Sequence, residues 1–195
     1  MKTLLITGFD PFGGAAINPA WEAVSRLPDT IGYFQLHKLQ ISTVFGKAAE
    51  QVLSKAEQIS PDVILCVGQA GGRSAVTPER IAVNIRDTRM GKIPDNAGNL
   101  PEGEFVVADG PAAYFSTVPV NEMAQAIRDA QIPGAVSNTA GTFVCNDTLY
   151  LILHQYAETG VRVGFIHVPY LPEQGSPSLL LEQIIDALTA AIKVI

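Results

Sequence analysis

Cysteine is scarce in this chain of 195 residues, and its two copies, Cys66 and Cys145, stand far apart without a CxxC or Cys/His ligand spacing. That pattern gives neither a metal site nor a disulfide framework, and it fits a reducing compartment, so the cytoplasm is the expected location. Basic residues are few as well: 13 Lys and Arg against 19 Asp and Glu leave a net charge of -6, with no basic cluster. A surface for nucleic acid concentrates Lys and Arg against phosphates, so no nucleic-acid partner is expected. No apolar run reaches membrane-spanning length, and the opening Met1-Lys2-Thr3-Leu4-Leu5-Ile6-Thr7-Gly8 reads as a strand rather than a signal peptide. Walker A and GxGxxG fingerprints are absent, as are internal repeats, low-complexity segments and linkers.

What the chain does have is 47% hydrophobic residues, enough for one sizeable core and a single domain over 1–195. Strand and helix patterns alternate. Thr3–Thr7 and Asp62–Gly68 read as buried strands, Gln35–Val44 as another, and Val161–Pro169 as a late one. Helices are expected from Asn18-Pro19, along Phe45–Ala56, from Asn121, after Cys145, and from Ser176-Pro177 to the end. Between Asp87 and Gly110 lies a long excursion rich in Gly, Pro, Asp and Asn, with Glu104–Ala108 its only strand candidate. The alternation predicts an α/β fold, a three-layer α/β/α sandwich around a mostly parallel, mixed sheet.

The chain centres on Ser137-Asn138-Thr139-Ala140-Gly141-Thr142-Phe143-Val144-Cys145-Asn146, a polar turn that delivers Cys145 to the start of a helix. Thr142 is the expected N-cap. In the first turn, free backbone N–H groups and the helix dipole favour a thiolate, the form that attacks carbonyls. Burial as a small hydrophobe is the plainer alternative for Cys145 and the expected state of Cys66 in its apolar strand. A cysteine hydrolase also needs an imidazole. Of the histidines, His37 falls in a strand and His154 in mid-helix, whereas His167 ends a strand beside Pro169. Glu79 begins an apolar stretch, where a surface-turn acid is the ordinary explanation. Phe9-Asp10-Pro11-Phe12-Gly13-Gly14 follows the first strand, at the end of the sheet where open α/β folds hold ligands; core packing is the competing role for both rings.

Six segments in order resemble the pyroglutamyl peptidase I (pyrrolidone-carboxylate peptidase) family: Gly8–Gly14, Gly68–Arg73, Pro78–Arg80, Asp109–Phe115, Asn138–Asn146 and Phe165–Tyr170. The resemblance runs over nearly the whole chain. It implies a cytoplasmic cysteine exopeptidase, often homotetrameric in bacteria, that removes an N-terminal pyroglutamyl residue without a cofactor. It places a triad on Cys145 as nucleophile, His167 as general base and acid, and Glu79 as the orienting carboxylate. The oxyanion site falls on the Cys145 N–H and Arg89. The substrate pocket falls on Phe9, Phe12, Phe143 and Val144 as walls, with Asn18 and the backbone at Gln69 as polar contacts. Two positions depart from the family pattern: Met90-Gly91-Lys92 intervene between Arg89 and Ile93, and Asp147 stands where histidine is usual. Asp147 suits the helix dipole, yet its charge would tend to raise the thiol pKa. The competing functions are a cysteine amidase for another small acyl or lactam group and a non-catalytic small-molecule binder.

Overall fold

The computed structural model describes residues 1–89 and 91–195. The inserted Met90 lies outside them. The chain opens with β1 (Lys2–Phe9), α1 (Pro19–Arg26), β2 (Thr30–Ile31), β3 (Phe34–Ile41), α2 (Lys47–Ile59) and β4 (Val63–Gln69). Short strands follow: β5 (Thr77–Pro78), β6 (Ile81–Val83), β7 (Arg86–Asp87), β8 (Glu102–Glu104) and β9 (Ala113–Phe115). The chain closes with α3 (Val120–Asp129), α4 (Val144–Tyr156), β10 (Arg162–Val168) and α5 (Leu181–Ile192).

The main sheet has the order β2-β3-β1-β4-β10-β5. Its four long strands are parallel, and the two-residue strands β2 and β5 run antiparallel at its edges. Alternation along each strand divides the core. Leu4, Ile6, Val63, Leu65, Val67, Ile166 and Val168 pack in one cluster with α1, α3 and α5. Leu5, Phe9, Ile64, Cys66, Val163 and Phe165 pack in the other with α2 and α4. Helices cover both faces, as an all-apolar parallel strand requires, so the expected three-layer α/β/α architecture is the observed one.

Several local expectations are corrected. The excursion contains a hairpin, but its strand is β8, Glu102–Glu104, paired with β7; Phe105 stands exposed beyond it. The apolar residues at 105–108 suggested a strand, whereas pairing to Arg86 and Asp87 fixed it three residues earlier. Ser176-Pro177 does not cap the last helix. That helix starts at Leu181, and the Leu180 N–H is taken by the Gln183 side chain. Asn18 does cap α1, its Oδ1 accepting from the Ala20 N–H at 3.1 Å.

Candidate active site

The carboxyl ends of β4 and β10 meet beneath the start of α4. Gly68 and His167 are register partners on these neighbouring parallel strands, so their Cβ directions point to the same face. That face belongs to α4. A Cβ built on Gly68 would lie 2.9 Å from Cys145 Sγ and 2.8 Å from Phe165 Cζ, so the thiol rests directly against the Gly68 backbone. Cys145 and His167 therefore flank one glycine. Gly68→Ala should displace the thiol and also press on the buried Phe165 ring, so it should cost about 1 to 3 kcal/mol of stability as well as turnover; a misplacement of about 1 Å can cost ~100-fold in rate. Turnover measured beside thermal unfolding checks this.

Glu79 reaches the same place through β5. Thr77 is the antiparallel partner of His167, and the Glu79 N–H donates to the Phe165 carbonyl at 2.8 Å. On its other side the segment bridges to Ser137, whose N–H donates to the Pro78 carbonyl. Glu79 is consequently fully buried, which removes the surface-turn explanation. Its Oε1 accepts from His167 Nδ1 at 2.7 Å and from Arg73 Nη1 at 2.6 Å. Burial pushes the Glu79 carboxyl up, but the hydrogen bond from His167 and its attraction when protonated, the nearby Ser137 hydroxyl and the Arg73 charge together hold it below the usual value. Burial pushes the His167 imidazole down and outweighs the opposing pull of Glu79, so it rests neutral. With Nδ1–H donated to Glu79, its Nε2 is free to accept a proton.

Cys145 is the second residue of α4 and carries a free, part-buried thiol. Burial, followed by the Glu79 charge, pushes that thiol up to about 12, against the thiolate that its place in the first turn favours. A helix terminus contributes only ~0.3 to 1 kcal/mol, too little to offset desolvation of the charged form. The expected Thr142 cap is also corrected. Phe143 holds the N-cap position without a side-chain bond, because the Thr142 hydroxyl donates to the Asp87 carbonyl at 2.7 Å. Cys66 is buried, its thiol likewise raised to about 12, as suits a structural residue. Asp147 points away into a pair of its own, accepting from Gly46 N–H at 2.7 Å and Arg86 Nε at 2.5 Å.

Beside this centre lie two hollows that share Phe12 and Ile93, neither of them lined by Cys145, His167 or Glu79. A cleft of about 740 Å³ is lined further by Gln69, Tyr170, Glu173 and the 13–17 loop. A smaller hollow of about 270 Å³ lies against Phe143, Thr142, Asp87, Thr88 and Gly91. Phe12 and Phe143 face each other at 6.1 Å between ring centroids. Phe9 is buried against Phe165, and Val144 is buried at the first turn of α4. Asn18 is buried with Nδ2 on the Asp10 carbonyl at 2.9 Å and Oδ1 on Ala20. Arg89 is largely exposed and paired with Asp87, whose backbone N–H donates to the Thr142 carbonyl. Among the described residues no group of three or more His, Cys, Asp and Glu could hold a metal, and no helix is long and apolar enough to cross a membrane.

Sequence reasoning did not anticipate the bond from Arg73 to Glu79, although Arg73 closes the glycine-rich turn Gly68–Arg73. A cation six residues before a candidate triad acid was the available signal.

A cysteine, a neutral histidine and a buried carboxylate at the ends of parallel strands can support acyl transfer through a thioester, and the relatives of the chain are peptidases. The family profile described as pyroglutamyl peptidase matches residues 1–195. The pyrrolidone-carboxylate peptidase of Levilactobacillus brevis is 54% identical, over 98% of this chain and 96% of that protein. The one from Lactobacillus johnsonii is 50% identical, over 98% and 91%. The crystal structure of Bacillus amyloliquefaciens pyroglutamyl peptidase I superposes with a TM-score of 0.95 at 44% identity, covering 100% of this chain and 96% of that one. Sequence, architecture and site thus lead to one assignment, and the chain belongs to the pyroglutamyl peptidase family.

Proposed function

We propose that this chain, as one catalytic domain over 1–195, hydrolyses the amide bond that follows an N-terminal pyroglutamyl residue. The observation that carries the proposal is the bond from buried His167 to buried Glu79 on the sheet face where the Cys145 sulfur rests. His167 Nε2 takes the Sγ–H proton as sulfur attacks the pyroglutamyl carbonyl carbon. The oxyanion is received by the Cys145 N–H and by Arg89, which has to turn from Asp87 to reach it. Glu79 stabilises the imidazolium, which then protonates the departing amine as the C–N bond breaks. Water, deprotonated by His167, cleaves the thioester and restores the thiol.

Pyroglutamate is a small uncharged lactam, and the hollow between Phe12 and Phe143 suits its ring. Phe9 and Val144 back those walls from the core. Asn18 fixes the loop that carries Phe12, and the backbone at Gln69 offers a polar contact to the ring amide. The leaving peptide follows the larger cleft. A free α-amino terminus would arrive charged and lose its hydration without a partner, so unblocked peptides are rejected. Residence in the cytoplasm and assembly as a homotetramer belong to the same proposal, on the family resemblance alone.

Release of a chromophore from a pyroglutamyl amide tests the reading. Rapid release supports it, slow release points to another amide substrate, and none points to a binding protein. The acid limb of kcat/KM adds a sign. Because burial depresses the His167 pKa, activity should persist below the ordinary histidine value of about 6.5 and fall only as the base becomes protonated at lower pH.

A further inference from the structure

We infer that Arg73 is a positioning residue of the hydrolytic site, whose guanidinium keeps the Glu79 carboxylate charged and aimed at His167 Nδ1; this rests on the roles proposed above for Glu79 and His167. A carboxylate with no solvent exposure takes up a proton unless a cation or several donors compensate it. Glu79 has few donors. Its Oε1 serves Arg73 and His167, while its Oε2 is buried with no hydrogen-bond partner. His167 is neutral before the reaction and supplies a full charge only after it takes the thiol proton. The resting charge must therefore come from elsewhere.

The neighbouring arginines are engaged in other places. Arg80 donates to Asn138 and Asn121, Arg86 to Asp147, and Arg89 to Asp87. Arg73 alone among them touches Glu79. It is also held in position: Nη1 donates to the Thr77 hydroxyl at 2.6 Å and Nη2 to the Thr139 carbonyl at 3.0 Å. Those contacts join the loop after β4, the strand that leads into Glu79 and the segment that leads into Cys145. One side chain thus ties together the three segments that build the site. The titratable and charged groups facing Glu79 and His167 are Arg73 from the β4 loop, Cys145 from α4 and, beyond it, Cys66 from β4; the Ser137 hydroxyl is the remaining polar neighbour.

Removing the Arg73 charge moves both partners in one direction. Glu79 loses a cation that opposes its protonation, and His167 loses one that opposes its own. The acid limb of kcat/KM should then move to higher pH, by about one unit or more for loss of an opposite charge in contact. Arg73→Gln should show that shift, with kcat/KM falling roughly one decade per displaced unit at pH values on the limb and far less where His167 is already neutral. Arg73→Lys keeps the charge without the planar fork, so it should return the limb close to its original position while kcat stays reduced. A structural role alone would lower stability in both variants and leave the limb in place.

The decisive measurement needs no substrate. Carbon-13 NMR of the Glu79 carboxyl should show it ionised at neutral pH in the unaltered protein and protonating at higher pH in Arg73→Gln. A folded Arg73→Gln with an unmoved carboxyl titration overturns the inference. So does a Glu79 already protonated at neutral pH in the unaltered protein, which decides the matter even if Arg73→Gln does not fold. Failure to cleave pyroglutamyl amides would instead remove the proposed function, and the titration would still judge Arg73.

Discussion

Replacing Cys145 by alanine is expected to lower kcat on pyroglutamyl amides by roughly 10⁶-fold, the scale seen when a triad nucleophile is removed. The change is small in volume and lies at a part-buried position, so folding should survive it. Ground-state binding should survive too, because the hollow between Phe12 and Phe143 keeps its walls. The same change at Cys66 should behave differently. That thiol is buried in β4, so Cys66→Ala should cost stability with little direct effect on chemistry. Kinetics and unfolding measured side by side separate the two cysteines.

Glu79→Gln is expected to cost ~10⁴-fold in kcat, by analogy with the amide replacement in a serine-protease triad. An amide can donate to His167 Nδ1, which moves the ring proton to Nε2, the nitrogen that has to receive the thiol proton. Glu79→Gln also leaves Arg73 without its carboxylate. Arg73 is part-exposed and keeps Thr77 and the Thr139 carbonyl, so its charge stays partly solvated and the protein should remain folded. Calorimetry beside steady-state kinetics checks both halves. A folded Glu79→Gln with near-normal kcat would mean that His167 is oriented by something else.

The parts of the fold that were legible in the sequence are those set by local pattern. β1, β4 and β10 are continuous apolar runs because helices cover both their faces, and Asn18-Pro19 marks a helix start through cap chemistry. The parts that were not legible depend on distant partners. β5 has two residues, and nothing in Thr77-Pro78 announces that it pairs with the end of β10 and buries Glu79. β8 is an exposed Glu-Gly-Glu with no apolar period, fixed by pairing to β7. The Thr142 hydroxyl would serve as a cap in isolation, but Asp87, 55 residues away, claims it.

The chemistry of the site divides in the same way. Residue types at Cys145, His167 and Glu79 were readable together with the family motifs, since each type has few alternatives in such a reaction. The protonation state was not. A first-turn position argues for a thiolate by local rules, whereas desolvation under the folded sheet and the nearby Glu79 charge push the thiol pKa up. Base-assisted attack is the route of the proposed mechanism: Glu79 engages His167 Nδ1, which leaves Nε2 of the neutral ring to receive the thiol proton.

The most direct test is the covalent intermediate. A rapidly quenched reaction with a pyroglutamyl ester, read by mass spectrometry and peptide mapping, should show one pyroglutamyl group on the peptide that contains Cys145. It should be absent from Cys145→Ala. Turnover with no acyl group on Cys145 at any time point, or with the group on another residue, would contradict the account.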